Sequence, residues 1–461
     1  MDPNFKSRYR NWGEEQRYIP FLGFKLRLPF LHFRFELPEF VQGFILVAVA
    51  LSAAAPLMEG LALAGLVNGN EALAFQIAVV LVMINAVILL IHCCLGDPVI
   101  PGWITPALPL TLVYLAGFDD PVSRLHAMRA LQFVITIMFL VLGLTGMAKK
   151  IVSIVPVSIR SGVLLGAAIV AIQGVIAPGG RMEGSEVSTI VGVVITFLVL
   201  YSFRYRRVAG KSAILRYMAT YGLLPGMIVA MAVGMIIGEL PVPTLEWGLT
   251  PMPFGETFRA LSVFTHGLPP LSFFIAGIPL AAACYIISFG DIVTAEAIVK
   301  EADKVRADEK IVFNADKSHI FLAARNFIQA ATGPFVPMSG PIWTGGQIAT
   351  VERYRAGPKS MDSLFGGIFW YPFGKVVALC LAFIVSGLAP VLPVALSITM
   401  VVSGWAAGYI AFQMAKTREE QGIALLVGSA IAFRGAAVGL GVGVALHLII
   451  GAVKKSNEEK E

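Results

Sequence analysis

Charged residues are scarce in this sequence. They make up 14% of its 461 residues, whereas apolar residues make up 57%, and the mean hydropathy is +0.78. A soluble domain of this length carries more charge, so the composition excludes that class and predicts a polytopic membrane protein. The formal net charge of +6 suits the anionic lipid of an inner leaflet, and we expect membrane lipid rather than nucleic acid as a partner.

Cysteine and histidine are also few. The sequence has 4 cysteines, all within apolar runs, and 6 scattered histidines. These numbers and positions exclude a disulfide framework and a set of metal ligands with the usual spacing.

Enzyme signatures are missing as well. There is no His-Glu-x-x-His sequence, and Tyr205 occupies the position where a phosphate loop ending in Gly210-Lys211-Ser212 needs glycine. We therefore expect no enzymatic activity, and no cofactor apart from Na⁺ or H⁺ as a coupling ion.

Long apolar runs dominate what remains. They predict fourteen transmembrane segments, the third and tenth being short, at 41–66, 74–95, 103–117, 128–148, 161–178, 187–203, 219–238, 271–299, 318–332, 342–352, 364–387, 391–414, 420–435 and 437–453. With this count, most Lys and Arg residues lie on the side of the N-terminus, as the positive-inside rule requires. We expect both termini in the cytoplasm and the protein in a bacterial inner membrane.

The segment before the first span has a different pattern. Residues 24–37 alternate apolar side chains with basic ones. This alternation favours an amphipathic arm, residues 1–40, that lies on the cytoplasmic surface of the membrane. A disordered basic tail is the alternative.

Two stretches interrupt the apolar pattern. Residues 97–110 read DPVIPGWITPALPL, and residues 333–349 read GPFVPMSGPIWTGGQIA. Proline lacks a backbone donor and glycine loosens the chain, so neither stretch forms an ordinary membrane helix. Interrupted segments at corresponding places in two halves indicate the binding site of a transporter. The external segment 238–270 separates two halves of seven spans, and because seven is odd, the halves are expected to have opposite orientation.

The two interruptions define candidate substrate ligands. If each short span begins near the bilayer midplane, its first-turn N–H groups have no intrahelical acceptors. Two opposed helix N-termini then concentrate partial positive charge, which suits an anion or a solute rich in acceptors. The candidate substrate-binding residues are Trp103, Thr105, Ser339, Trp343, Thr344, Gly346 and Gln347. The alternative is that the prolines only kink two packed helices.

One acidic residue lies deep in an apolar segment. Asp291 precedes Lys300 by nine residues, which corresponds to roughly 13 Å along a helix. An ionisable residue at this depth is a functional candidate. We expect Asp291 to contact the substrate, to coordinate Na⁺ together with Thr294, or to bind and release a proton. The alternative is a buried ion pair between Asp291 and Lys375.

Three motifs carry a resemblance to known transporters. Gly290-Asp291-Ile292-Val293-Thr294 resembles the carboxylate-bearing part of span eight in the superfamily that joins nucleobase–ascorbate (uracil/xanthine) permeases to sulfate permeases. The sequence Pro337-Met338-Ser339-Gly340 is similar to the entry to span ten in sulfate permeases. The run from Gly374 to Leu379, followed by Ala389 to Leu392, resembles a run in nucleobase permeases.

The resemblance implies an architecture. In that superfamily, fourteen spans form a seven-plus-seven inverted repeat, with spans three and ten as half-helices preceded by short strands. It implies a core domain at 41–160 and 271–390, a gate domain at 161–270 and 391–453, a cytoplasmic tail at 454–461, and a homodimer. The chain departs from nucleobase permeases at Gly346, where they usually carry a second acid. It also departs from sulfate permeases, since no C-terminal regulatory domain is expected.

These observations favour one functional hypothesis and leave two others. The first is a Na⁺- or H⁺-coupled secondary transporter that moves a small anion, of the sulfate, bicarbonate or small carboxylate class, by an elevator-like shift of the core domain. The second keeps the fold and changes the solute to a nucleobase such as uracil or xanthine. The third is an anion channel or membrane sensor.

Overall fold

The computed structural model describes residues 33–209, 211–212, 215, 218 and 222–458, and it is mostly helical. The elements of the first half are α1 (Leu37–Ile45), α2 (Val47–Leu51), α3 (Ala54–Gly60), α4 (Leu63–Leu66), α5 (Glu71–Cys94), β1 (Gly102–Trp103), a 3-10 turn (Thr105–Ala107), α6 (Leu108–Ala116), α7 (Pro121–Thr145), α8 (Ala148–Ile154), α9 (Val157–Ile176), α10 (Glu186–Tyr201), α11 (Phe203–Ala209) and α12 (Leu224–Ile237).

The second half follows a long segment between α12 and the next membrane helix. Its elements are α13 (Phe254–Leu261), α14 (Val263–His266), α15 (Leu271–Val305), α16 (Ala315–Thr332), β2 (Ser339–Gly340), α17 (Thr344–Arg355), α18 (Leu364–Leu379), α19 (Ala382–Leu388), a 3-10 turn (Ala389–Val391), α20 (Leu392–Met414) and α21 (Arg418–Glu458). Residues 1–32 of the predicted arm and 459–461 of the predicted tail lie outside the described residues, and α21 extends into the tail as far as Glu458.

The length and composition of the helices support a multi-pass membrane protein. Within the described residues, six helices are long and apolar enough to cross a membrane, or up to eight if each bent pair counts as one span. Three shorter apolar helices accompany them, at Thr105–Ala116, Leu224–Ile237 and Leu364–Leu379. The prediction of a mostly helical, multi-pass protein is confirmed, whereas the fourteen spans, the inverted repeat and the domain boundaries stay predictions.

Polar side chains cap the N-termini of three of the long helices, α5, α7 and α16. The side chain of Asn70 accepts a hydrogen bond from Leu73 N at 3.0 Å at the start of α5. Asp120 accepts from Ser123 N at 2.8 Å at the start of α7, and Asn314 accepts from Lys317 N at 3.0 Å at the start of α16. Each cap satisfies a first-turn N–H group that has no intrahelical partner.

In the last long helix, Gly435 breaks the helical geometry, with φ 82° and ψ 173°.

The first predicted span differs from a single helix. The four short helices α1 to α4, which begin at Leu37, cover residues 41–66 in place of one continuous helix. Ala62, the N-cap of α4, has a left-handed backbone with φ 48°, and Pro56 in α3 has no N–H group to donate. The apolar composition therefore predicted a membrane segment here, but it did not predict where the helix is interrupted.

Packing places the two strands at the centre of a helical bundle. α16 and α15 pack against α7, and α18 packs against α1 and α5. On the other side, α9 packs against α20 and α21, and α10 packs against α12. α15 contacts both α17 and the 3-10 turn before α6, so the helix that carries Asp291 lies beside both interruptions.

Candidate functional site

The two interrupted stretches meet through a pair of two-residue strands. β1 and β2 are antiparallel, with Gly102 opposite Gly340 and Trp103 opposite Ser339. Both glycines are needed, because a Cβ at Gly102 would lie 2.3 Å from the Ile342 carbonyl oxygen and a Cβ at Gly340 would lie 2.5 Å from the carbonyl carbon of Trp103. Each strand is followed by a short helix, α6 or α17.

Two of the predicted ligands, Gln347 and Ser339, hold this pairing together. The Gln347 side chain is fully buried; its Oε1 accepts from Ile100 N at 2.7 Å, and its Nε2 donates to the Pro98 carbonyl at 3.0 Å. Ser339 is also buried; its Oγ donates to Oε1 of Gln329 at 2.9 Å. Their hydrogen-bonding groups are thus engaged with the protein in this conformation.

The two predicted tryptophans are held in different ways. Trp103 is half-buried, and its Nε1 donates to Oδ1 of the buried Asn85 at 2.8 Å. The Trp343 ring lies 5.1 Å from the Tyr371 ring and folds over the first turn of α17. A Cβ at Gly346 would lie 2.0 Å from Cε3 of Trp343, so Gly346 provides the space that this indole occupies.

Free backbone donors lie at the start of α17. The N–H groups of Thr344, Gly345 and Gly346 have no acceptor within the described part of the chain, and no side chain caps the helix. Thr105 begins the 3-10 turn after β1 in the corresponding place. Both threonines are half-buried residues, and their hydroxyls make no hydrogen bond to any described residue. A helix of this length with three free first-turn donors has the electrostatics of an anion site.

Asp291 and Thr294 lie on α15. Asp291 is half-buried, and over the described ranges it forms no ion pair or hydrogen bond. The alternative pair with Lys375 is therefore not formed. Thr294 donates its hydroxyl to the Gly290 carbonyl at 3.0 Å, whereas Ser288, one turn before Asp291, is fully buried and its hydroxyl has no partner in the described structure. Hard cations prefer such oxygen ligands. No group of three or more His, Cys, Asp and Glu side chains suited to a metal occurs among the residues that were described.

Sequence reasoning missed the residue that joins both strands. Arg325 on α16 is 3% exposed and donates to the Gly340 carbonyl at 3.0 Å and to the Gly102 carbonyl at 2.8 Å. No carboxylate pairs with it in the described ranges. Its only signal in the sequence was a basic residue inside an apolar span.

A buried amide network supports the strands from behind. Gln132 Oε1 accepts from Phe335 N at 3.0 Å, and Asn326 Nδ2 donates to the Ser339 carbonyl at 3.1 Å. Asn326 Oδ1 also accepts from Ser339 N at 3.0 Å. A buried polar network of this kind fixes a unique geometry when its members are paired.

The stretch before β1 has a second set of polar contacts. The Asp97 carboxylate lies 3.2 Å from Nε2 of His92 and accepts from the Ser318 hydroxyl at 2.8 Å. All three side chains are buried. Asp97 therefore anchors the beginning of the first interruption to α5 and α16.

Comparisons with known proteins agree with this architecture. No protein-family model and no curated protein matches the sequence. Among solved structures, the murine Solute Carrier 26 family member A9 (Slc26a9) anion transporter in the inward-facing state is similar, with a TM-score of 0.59, 12% identity, and coverage of 98% of this chain and 72% of that chain. A structure of SLC26A9 gives a TM-score of 0.53 at 12% identity and covers 91% of this chain and 66% of that chain.

A third structure is the transmembrane domain of a cyanobacterium bicarbonate transporter, BicA. It has a TM-score of 0.49 and 15% identity, with coverage of 88% of this chain and 98% of that chain. At these identities, the two SLC26A9 structures establish a shared fold. The chain therefore has the fold of the solute carrier 26 anion transporters, and the resemblance to the sulfate permease superfamily is confirmed as a likeness of fold.

Proposed function

We propose that this protein is a secondary active transporter of a small anion. The observation that carries the proposal is the start of α17, where three free backbone N–H groups adjoin the strand pair at the centre of the bundle. An anion accepts hydrogen bonds from such groups and is stabilised by the helix dipole. The fold shared with SLC26A9 supports the same interpretation.

Asp291 is proposed as the site of the coupling ion. Na⁺ would be held by the Asp291 carboxylate with oxygen ligands from the same helix, Ser288 and Thr294, or a proton would bind the carboxylate directly. The carboxylate has no cation partner among the described side chains, so an incoming Na⁺ or H⁺ meets no competitor there. Bound anion and bound cation would then compensate each other's charge as they cross a low-dielectric layer.

The motion that we propose is an elevator-like shift of the core domain, 41–160 and 271–390, against the gate domain, 161–270 and 391–453. In this proposal, spans 3 and 10 of fourteen form the two halves of the site and move with the core, and two such protomers form a homodimer. The nucleobase alternative is less favoured, because the position of the second acid is Gly346, where the Trp343 ring leaves no room for a side chain.

Uptake into proteoliposomes tests the proposal. Labelled bicarbonate, sulfate and a small carboxylate are supplied with and without an inward Na⁺ or H⁺ gradient, and uracil and xanthine serve as the comparison. We expect gradient-stimulated uptake of at least one anion and at least a tenfold loss in Asp291→Asn. Glu296→Gln, on the same helix and paired with Lys300 at 2.7 Å, is the matched control and should retain uptake. Nucleobase uptake, currents above carrier turnover, or full activity of Asp291→Asn would contradict it.

A further inference from the structure

α18 presents two polar side chains to the start of α17. Tyr371 and Lys375 are one helical turn apart and therefore share a face. The centres of the Tyr371 and Trp343 rings lie 5.1 Å apart with the rings tilted by 30°, and the Lys375 ammonium lies 4.5 Å from the centre of the Tyr371 ring and 5.3 Å from that of Trp343. Tyr371 is 1% exposed, and its hydroxyl has no hydrogen-bond partner in the part of the chain that the structure describes.

Lys375 lies at the depth of the proposed site. It is the twelfth residue of α18, which begins at Leu364 near the predicted cytoplasmic boundary. At the helical rise this corresponds to roughly 16 Å, about half of a 30 Å hydrocarbon layer. A basic residue near the midplane is costly, and it persists where it has a partner or a function.

The described residues offer Lys375 no anionic partner. Among the described side chains, no carboxylate lies within ion-pair distance of the ammonium, and Asp291, the acid expected as the alternative partner of Lys375, does not pair with it. The faces of Trp343 and Tyr371 attract the ammonium, but a cation–π contact leaves its charge in place. When Lys375 is protonated, its charge therefore has no anionic counterpart among the described residues.

The uncompensated ammonium and the free backbone donors are neighbours. Lys375 contacts Trp343, and Trp343 directly precedes the three unpaired N–H groups of Thr344, Gly345 and Gly346. One anion near the start of α17 would accept hydrogen bonds from the backbone and interact with the ammonium at the same time. Coulomb attraction to a fixed charge grows in proportion to the charge of the anion.

We propose that Lys375 is a specificity-determining residue of the anion site. It supplies the fixed positive charge at the α17 end of the site, and it favours doubly charged anions over singly charged ones. This inference rests on the proposed function and adds the residue that selects the charge of the substrate.

The test compares sulfate with bicarbonate in proteoliposomes, each measured as a substrate or as a competing inhibitor. In Lys375→Met, we expect the KM or inhibition constant of sulfate to rise about tenfold, equivalent to about 1.4 kcal/mol. For bicarbonate the rise should be about threefold, so the ratio between the two changes. Lys375→Arg keeps the charge and should stay within threefold of the wild type for both anions. A merely structural role would lower kcat or the amount of folded protein and leave the ratio unchanged.

Two controls keep the test decisive. Lys300→Met removes an exposed lysine on α15 and should change neither constant. If Lys375→Met does not fold, Lys375→Cys is treated in the folded state with 2-aminoethyl methanethiosulfonate, which restores an ammonium, or with methyl methanethiosulfonate, which does not. Only the first reagent should restore the preference for sulfate.

The outcomes separate this inference from the proposed function. Wild-type anion uptake with a sulfate-to-bicarbonate ratio unchanged within twofold in the neutral variants overturns the role of Lys375 alone. Absence of any anion uptake in the wild type overturns both.

Discussion

Two adjacent glycines in the first turn of α17 have different surroundings. A Cβ at Gly346 would lie 2.0 Å from Cε3 of Trp343, whereas a Cβ at Gly345 would lie 3.6 Å from Cζ2 of the same ring, which is ordinary contact. Gly346 is buried and Gly345 is exposed. The position of the Trp343 indole, and with it one wall of the proposed site, depends on a single missing methyl group.

Gly346→Ala should therefore displace the indole. Overpacking of this kind costs about 1–3 kcal/mol, and we expect a lower melting temperature in detergent and a reduced rate of anion uptake. Gly345→Ala is the matched control and should be neutral or slightly stabilising, because alanine favours the helix more than glycine does. Equal effects of the two substitutions would show that the indole does not lie where the structure has it.

Glu309 gives a second prediction for a single residue. It lies in the loop between α15 and α16, is 2% exposed, and accepts from the Ser363 hydroxyl at 2.6 Å and from Leu364 N at 3.2 Å. Burial is the main cause that raises the pKa of this carboxyl from 4.5 to about 7. The folded state therefore binds a proton more tightly than the unfolded state does, so the contribution of Glu309 to stability falls as pH rises from about 4.5 to about 7.

Glu309→Gln should remove that part of the pH dependence. The melting temperature of the wild type should fall more between pH 5 and pH 8 than that of the variant, by an amount that corresponds to at most about 3 kcal/mol. Glu352→Gln, an exposed acid paired with Arg355 at 3.2 Å, should follow the wild type. Parallel curves for wild type and Glu309→Gln would contradict the assignment.

At the scale of single residues, the sequence predicted which residues are functional candidates better than it predicted which partners they contact. Asp291 stood out because an acid in an apolar run is rare and costly. Lys375 and Arg325 were equally visible as basic residues inside spans, but their neighbours are not. Arg325 binds Gly102 across 223 residues, and Gln347 binds Ile100 across 247. No local pattern encodes which distant carbonyl a buried side chain will reach.

Among the secondary-structure elements, the strand pair depends on one arginine. β1 and β2 have two residues each, too few to be stable alone. Arg325 donates to the carbonyls of both Gly102 and Gly340, the residues that face each other in the pair. Its planar guanidinium can reach two acceptors at once, which a lysine ammonium does less well.

Arg325→Met should destabilise the protein because it removes the hydrogen bonds from the guanidinium to the carbonyls of Gly102 and Gly340. Losing two buried hydrogen bonds from a charged donor costs roughly 1.5–3 kcal/mol each, reduced because a charge is no longer buried, so we expect a net loss of about 2–4 kcal/mol. Unfolding in detergent at increasing temperature measures it. Arg325→Lys should be intermediate, and Arg259→Met, which removes an exposed arginine, should have no effect. A fully stable Arg325→Met would mean that the strands pair without the arginine.

The sequence predicted where most helices lie, but it predicted the interruptions within them only in part. Proline and glycine at 97–110 and 333–349 predicted interruptions, and the strands β1 and β2 lie within those stretches. The break at Gly435 falls at the predicted boundary between 420–435 and 437–453. The division of 41–66 into four helices was missed, because the left-handed residue there is Ala62, and alanine ordinarily favours the right-handed α-helix.

On the scale of the whole molecule, an ion pair between described residues joins the two proposed domains. Glu59 on α3 pairs with Arg181, which lies in the turn between α9 and α10. Beside the pair is a cavity of about 370 Å³ between α3, α5 and α20. Its lining is Ala54, Ala55, Met58, Glu59, Phe75, Arg181, Ala389, Leu392, Pro393 and Leu396. If the core moves against the gate, α3 and α20 must separate here.

Glu59→Arg should therefore favour opening on the predicted outer side. Leu396→Cys in the cavity reports opening through its rate of reaction with a membrane-impermeant thiol reagent, and proteins without this cysteine give the background. Glu59 is 54% exposed, and such pairs contribute about 0.2–1 kcal/mol, so we expect acceleration of no more than about fivefold. The double variant Glu59→Arg with Arg181→Glu should return the rate to its original value. Unchanged labelling in all three proteins would show that this contact does not resist the movement.

The antiparallel register of Gly102 and Gly340 has a consequence for biogenesis. The ribosome releases β1 long before it makes β2, and Arg325, which holds both, is also made late. Until β2 is synthesised, the first half of the chain therefore stays in the membrane with β1 unpaired, and the backbone groups of β1 have no hydrogen-bond partners in the bilayer. Neither half can finish maturing alone, so quality control by the insertion machinery should treat a nascent chain as incomplete until translation has passed residue 340.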